Sequence, residues 1–165
     1  MPDNPHYDDL ETRTEDARED ALFAALRAQL AHAKSKSPYF RDLLADVDPG
    51  AVTDRAVLAR LPITRKSALV DIQRPGNALG GLTAAGDGAL RRIYQSPGPT
   101  YDPEGHGDDW WRTARGLYAA GLRPGDVVHN SFSYHLTPAG AMMEAGATAI
   151  EYGLIAAIMA VALIA

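Results

Sequence analysis

The chain has 165 residues, of which 46% are hydrophobic and 22% charged, enough for one modest domain with its own core. A net charge of −5 supplies no basic excess to neutralise phosphates, so a general nucleic-acid binder is excluded. With no cysteine there is no disulfide framework, no thiolate metal site and no cysteine nucleophile, which fits a cytoplasmic setting for residues 1–146.

Residues 1–88 read as a helical N-terminal region. The stretch Met1–Asp20 is acidic and lacks the apolar core of an export signal. Thr12-Arg13-Thr14-Glu15 has capping-box spacing and predicts a helix start near Arg13. Leu22, Phe23, Leu26, Leu30 and Ala33 then recur at helical intervals, with Lys34 and Lys36 at the negative end of the dipole. Ser37-Pro38 stops this helix and caps a second, carrying Phe40, Leu43, Leu44 and Val47 on one face. Thr53 and Thr64 are candidate caps for a third helix, ending at Leu61-Pro62, and a fourth through Leu69 and Ile72. Arg74–Gly88 is a loop punctuated by Pro75-Gly76, Gly80-Gly81 and Asp87-Gly88.

Residues 89–146 read as a partial α/β region. Leu90, Ile93 and Tyr94 have strand character, Ser96-Pro97-Gly98-Pro99-Thr100 is a turn, and a helical pattern follows from Asp108 to Gly121. Asp126-Val127-Val128-His129-Asn130 reads as a second strand, so a βαβ unit with parallel pairing is expected. A turn between strand and helix presents N–H groups to a phosphate. Against that, two prolines remove donors, no lysine follows, and Asp102 and Glu104 add negative charge. The loop therefore admits two readings, a nucleotide loop or a proline-rich turn that binds nothing, and the second is favoured.

Ser131–Thr137 lies at the carboxyl end of the second predicted strand, where open α/β sheets place ligands. His135 there is a ligand contact or, the favoured reading, a local hydrogen-bonding residue. Trp111 and Tyr118 lie seven apart and suit core packing better than a pocket wall. The five histidines show no zinc spacing, so no metal site is expected from spacing. Thr137-Pro138 has the form of a helix start, and Ala139 onward can be helical to Ala165. From Gly153 every residue is apolar, and the nineteen residues 147–165 approach the roughly 20 needed to span a bilayer. Membrane contact or aggregation of this tail is favoured over burial.

LARLPITRKSAL (58–69), SPGPTYDPEG (96–105), AAGLRPGDVVHN (119–130) and SFSYHLTPAG (131–140) together resemble phenylacetate-CoA ligase-like members of the adenylate-forming, AMP-binding superfamily, over residues ~7–146. The resemblance implies joining of a carboxylic acid, here an aryl acid, to ATP and then to coenzyme A, giving acyl-CoA, AMP and pyrophosphate, with magnesium as cofactor. It places Ser96, Gly98 and Thr100 in the loop that wraps the ATP phosphates, and Tyr134, His135 and Thr137 near the acyl-adenylate pocket. The family's loop lysine, aromatic-Thr-Glu segment, ribose-binding aspartate, hinge and C-terminal domain have no counterpart here, so a truncated, inactive ligase is expected.

GATAIEYGLIAAIMAVALIA (146–165) resembles the processing site and hydrophobic helix of Flp-type pilins. That resemblance implies cleavage after Gly146, a registration role for Glu151, and inner-membrane association of the tail. An acidic segment of domain size upstream is unlike a short basic pilin leader, and a join of two unrelated sequences around Ala145-Gly146-Ala147 is expected. The alternative is a pilin-like membrane or pilus subunit. The expected architecture is an α/β fragment: N-terminal helices, one βαβ unit of a larger sheet with unpaired edges that favour self-association, and a long apolar C-terminal helix.

Overall fold

The computed structural model describes residues 4–74 and 76–150. Its first segment is a 3-10 turn, Asp9–Thr12, followed by α1 (Glu15–Lys36), α2 (Pro38–Leu43), a 3-10 turn at Pro49–Ala51, α3 (Arg55–Leu58) and α4 (Lys66–Ile72). A short 3-10 turn at Asp87–Ala89 precedes β1 (Arg92–Ser96) and β2 (Thr100–Glu104), and α5 (Ala114–Ala119) and α6 (Ala139–Ile150) complete the order.

Capping chemistry sets most helix starts. The cap of α1 is Thr14, whose hydroxyl accepts from the Ala17 amide; Thr12 instead closes the preceding turn by donating to the Asp9 carbonyl at 2.9 Å. The helix therefore begins two residues later than the capping-box spacing at Thr12 suggests. Ser37 ends α1 and caps α2 as its sequence predicts, accepting from the Phe40 amide at 3.3 Å. The same hydroxyl donates to the Gly81 carbonyl at 2.7 Å, which ties the long loop to the helices. At α3 the cap is Asp54 rather than Thr53, because its carboxylate accepts from the Val57 amide at 2.8 Å. The α4 start has no side-chain cap, and Thr64 lies 3.4 Å from the Tyr39 hydroxyl instead. Along α1 only Phe23 is buried, whereas Leu22 is 45% exposed, so the apolar stripe is only partly covered.

The expected βαβ unit is not what forms. β1 pairs antiparallel with β2, from Arg92 opposite Glu104 to Ser96 opposite Thr100, so Pro97-Gly98-Pro99 is a hairpin turn. Gly98 has φ 123°, a conformation that a side chain disfavours, and this lets the chain reverse directly rather than enter a helix. Residues 126–130 make no strand pairing among the described residues, and Val127 is 81% exposed. The second strand is instead Thr100–Glu104, whose Asp, Pro and Glu gave it no strand signature.

Behind the hairpin, α5 packs on α6 around buried Ala114, Tyr118 and Ile150. The helix expected from Asp108 begins only at Ala114, because the Asp109 carboxylate organises a turn before it, accepting from the Thr113 amide at 2.7 Å and the Ala114 amide at 3.2 Å. Trp111 lies before α5 rather than on it, its ring centroid 6.2 Å from that of Tyr94, so it does not share a helix face with Tyr118. Gly121, at φ 108°, follows the α5 cap, the stop its sequence predicts. Arg115 on α5 clasps Asp8 at 2.6 Å and Glu11 at 3.3 Å, fastening the N-terminal turn to the core.

Helix α6 starts one residue after Pro138, whose carbonyl accepts from the Met142 amide at 2.9 Å, and runs without a break through the expected join at Gly146. The remainder of the predicted apolar helix, 151–165 with Glu151, lies outside the described residues. No helix among the described residues is long and apolar enough to cross a membrane.

Candidate active site

Two of the predicted clusters meet. The Gln95 amide at the end of β1 donates to the Leu136 carbonyl at 2.7 Å, so the hairpin turn with Ser96, Gly98 and Thr100 lies beside the segment carrying Tyr134, His135 and Thr137. The hairpin is held from its other side by Gln73 at the end of α4. Its side-chain amide donates to the Tyr101 carbonyl at 2.9 Å and accepts from the Tyr101 amide at 2.8 Å. One buried glutamine thereby satisfies both backbone groups of an edge residue in β2.

At the turn, the Ser96 hydroxyl donates its proton to the Asp102 carboxylate across the hairpin. Thr100 is 1% exposed, and its hydroxyl oxygen is buried without a hydrogen-bond partner among the described residues. Lys66, the first residue of α4, reaches the turn: a Cβ built on Gly98 would lie 3.9 Å from its Cε. The loop's own sequence lacks a lysine, and the fold supplies one from thirty-two positions upstream. The clue present in the sequence is a lysine in the ITRKSAL stretch that carries part of the resemblance.

The second cluster is organised by Asn130. Its Nδ2 donates to the Tyr134 hydroxyl at 2.8 Å and to the Gly140 carbonyl at 2.9 Å, while its Oδ1 accepts from the Phe132 amide at 3.1 Å. Gly140 permits this closeness, since a Cβ there would lie 2.7 Å from the Ser133 carbonyl oxygen and 2.8 Å from the Tyr134 ring. The Tyr134 hydroxyl also hydrogen-bonds Glu144, and its pKa is raised by burial first and by that carboxylate second, with Asn130 opposing. His135 is exposed and its amide approaches the Ser133 hydroxyl at 3.4 Å; Thr137 is half-buried. Sequence reasoning missed Asn130 and Glu144, although Glu144 is the only charged residue in the α6 sequence.

Behind β1, Glu104 is 2% exposed and its carboxylate lies 3.6 Å from both Arg91 and Arg92. Arg92 donates to the Tyr94 hydroxyl at 2.9 Å. Burial pushes the Tyr94 phenol up, with Arg92 opposing and Glu104 reinforcing. These groups brace the hairpin from behind. The resemblance implies magnesium, yet among the described residues no group of three or more His, Asp or Glu side chains is placed to hold a metal ion. These residues therefore provide no visible fit for it.

Gly146 is apart from both clusters. It is buried in α6, where a Cβ would lie 2.2 Å from the Thr113 hydroxyl oxygen and 2.9 Å from the Ala114 amide nitrogen.

The fold is similar to part of solved acyl-CoA ligases. Over 92% of this chain it matches a third of 2-hydroxyisobutyryl-CoA ligase in its postadenylation state with 2-HIB-AMP, with TM-score 0.80 and 22% identity (34% of that chain covered). The same ligase with 2-HIB-AMP and CoA, in its thioesterification state, gives TM-score 0.79 at 20% identity over 92% of this chain and 34% of its own. In sequence, the chain resembles phenylacetate-coenzyme A ligases in particular. The Thermus thermophilus enzyme is 32% identical over 134 residues, covering 76% of this chain and 29% of that protein. The Pseudomonas putida enzyme is 32% identical over 154 residues, covering 88% of this chain and 34% of its own length. The chain thus spans about a third of the length of the relatives it matches. No family model matches the sequence. Nothing in these likenesses supports the pilin reading of 146–165.

Proposed function

We propose that this chain forms the phosphate-loop and acyl-side walls of an adenylate-forming acyl-CoA ligase. The reaction so served joins a carboxylic acid, ATP and coenzyme A to give acyl-CoA, AMP and pyrophosphate. The observation that carries this reading is the Gln95–Leu136 backbone bond, which sets the Ser96–Thr100 turn beside Tyr134, with Lys66 at the turn's tip. The likeness to ligases in both sequence and fold supports it.

In this assignment Lys66 is the cation that meets phosphate. The prolines leave few amide donors in the turn, so a charge-assisted contact worth about 1.5–3 kcal/mol falls to that ammonium group. Gly98 keeps the tip free of a side chain. Ser96 and Thr100 shape the turn, the first bonded to Asp102 and the second buried. Tyr134 and Thr137 border the acyl side, and exposed His135 faces the solvent end of it. These residues position substrates and contribute no obvious group to stabilise the adenylation transition state, so binding without turnover is expected of this chain.

Calorimetric titration of the 165-residue chain with ATP tests the assignment. Binding is expected, and Lys66→Ala should weaken it by at least tenfold. Equal affinity in the variant removes Lys66 from the site, and no binding by the unaltered chain removes the nucleotide reading altogether. ATP–pyrophosphate exchange with aryl acids should be absent, and measurable exchange would show that these residues suffice for catalysis.

A further inference from the structure

A broad groove of about 990 Å³ runs between the C-terminal half of α1, the loop before β1 and the segment that leads into α5. It shares no wall residue with the Ser96–Thr100 turn or with the cluster around Asn130 and Tyr134. Phe40, Leu82 and Pro103 give it apolar lining, and Trp110, 44% exposed, stands in its wall. A large, mostly apolar groove with a few convergent polar groups is the usual form of a small-molecule site.

Trp110 is fixed in that wall. A Cβ built on Gly105 would lie 2.5 Å from its six-membered ring, so the indole rests directly on backbone. Asp109 and Arg112, on either side of the tryptophan pair, have φ 48° and 56°, a region that side chains disfavour. Such strain collects at ligand clamps, and here it holds an indole toward a groove.

The charges on the wall have a definite order. Asp109 spends its carboxylate on the Thr113 and Ala114 amides. Asp108 and Arg112 bracket Trp110 with opposite charges, and among the described residues their side chains pair neither with each other nor with another group. Asp108 also borders the smaller cavity of Arg91 and Arg92, but both of those guanidinium groups lie 3.6 Å from Glu104 instead. His32 and Gln29 on α1 supply further hydrogen-bonding groups. A free carboxylate and a free guanidinium with an indole between them match a ligand that carries an ammonium, a carboxylate and a ring.

We propose that this groove binds a zwitterionic amino acid with an aromatic side chain, its ammonium on Asp108, its carboxylate on Arg112 and its ring on Trp110. Both charged side chains are exposed, so neither contact alone holds a ligand in water, and selectivity comes from making all three together. The proposal does not rest on the ligase reading, because neither the phosphate turn nor the acyl side takes part.

Calorimetric titration of the full chain with L-phenylalanine tests this. Phenethylamine, which lacks the carboxylate, and 3-phenylpropionate, which lacks the ammonium, then compete against it. Each should need at least tenfold more than L-phenylalanine itself to displace the bound amino acid. This order tests the charges without any substitution, and displacement keeps binding of an aryl acid elsewhere out of the readout. Asp108→Asn should erase the disadvantage of 3-phenylpropionate alone, and Arg112→Gln that of phenethylamine alone. Trp110→Ala should weaken L-phenylalanine at least tenfold, Trp110→Phe should keep most of the affinity, and circular dichroism reports that each variant is folded. No binding of L-phenylalanine, displacement by either analogue as readily as by the amino acid, or an order unchanged in both charge variants overturns the proposal.

Discussion

Gln73 extends β2 outward by one residue, pairing with both backbone groups of Tyr101 where a neighbouring strand would otherwise lie. Truncating it leaves a buried donor and acceptor unpaired, at about 1–3 kcal/mol. Gln73→Ala should therefore lower the unfolding free energy by that amount, read as a lower urea midpoint at unchanged slope, and Gln73→Glu, which loses the donor, should cost a similar amount. Tyr94 and Tyr134 make a different prediction. Both phenols have raised pKa values, burial being the first cause in each. The folded protein thus keeps these protons to higher pH than the unfolded chain does. Their contribution is complete below the ordinary tyrosine value of about 10 and is lost as pH climbs through the raised folded values. Stability should fall in that alkaline window, and the Tyr94→Phe, Tyr134→Phe double variant should show a shallower fall in melting temperature there. Of the residues singled out by sequence, the turn glycine was legible from its Pro-Gly-Pro setting. Lys66 was not, because its approach to Gly98 depends on how α4 lies on the hairpin.

Among the elements, the pairing of α5 with α6 depends on a small-residue contact. Thr113 donates to the Met142 carbonyl at 2.7 Å, and Gly146 lies against Thr113 and the first amide of α5. Gly146→Ala adds a methyl where backbone already stands, so it should destabilise by about 1–3 kcal/mol despite the better helix propensity of alanine. A rise in melting temperature would show that the two helices are not held this closely. Ser37 joins two roles, helix cap and loop anchor, and Ser37→Ala should cost about 0.5–2 kcal/mol through the cap alone. The Ser37 cap and the Gly121 stop were readable because such signals act within four residues of the chain, whereas the starts of α1, α3, α4 and α5 fall at other residues than Thr12, Thr53, Thr64 and Asp108. The hairpin was misread for the converse reason: Tyr101-Asp102-Pro103-Glu104 carries little strand preference, and its order comes from β1 and from Gln73. Residues 126–130 had the composition of a strand but find no ladder partner among the described residues.

Taken whole, the described residues leave considerable apolar surface open. Ile63 is 77% exposed, Leu136 66%, Phe132 53% and Ile93 49%, and the sheet has only two strands. Two-stranded sheets and exposed apolar residues both favour association. Sedimentation should therefore show assemblies that grow with concentration, and Val127→Lys with Leu136→Glu should shift them toward monomer. A single monomeric species across the concentration range would refute this. Net charge, the absence of cysteine, the helix-start chemistry at Ser37 and Asp109, and the Pro97–Pro99 turn all follow from neighbours along the chain, where spacing suffices to fix the interaction. The site does not. Gln73 meets Tyr101 across 28 residues and Thr113 meets Met142 across 29, while Lys66 reaches Gly98 from another element. Such meetings depend on which helix faces bury together, a property of the packed chain that no local pattern carries.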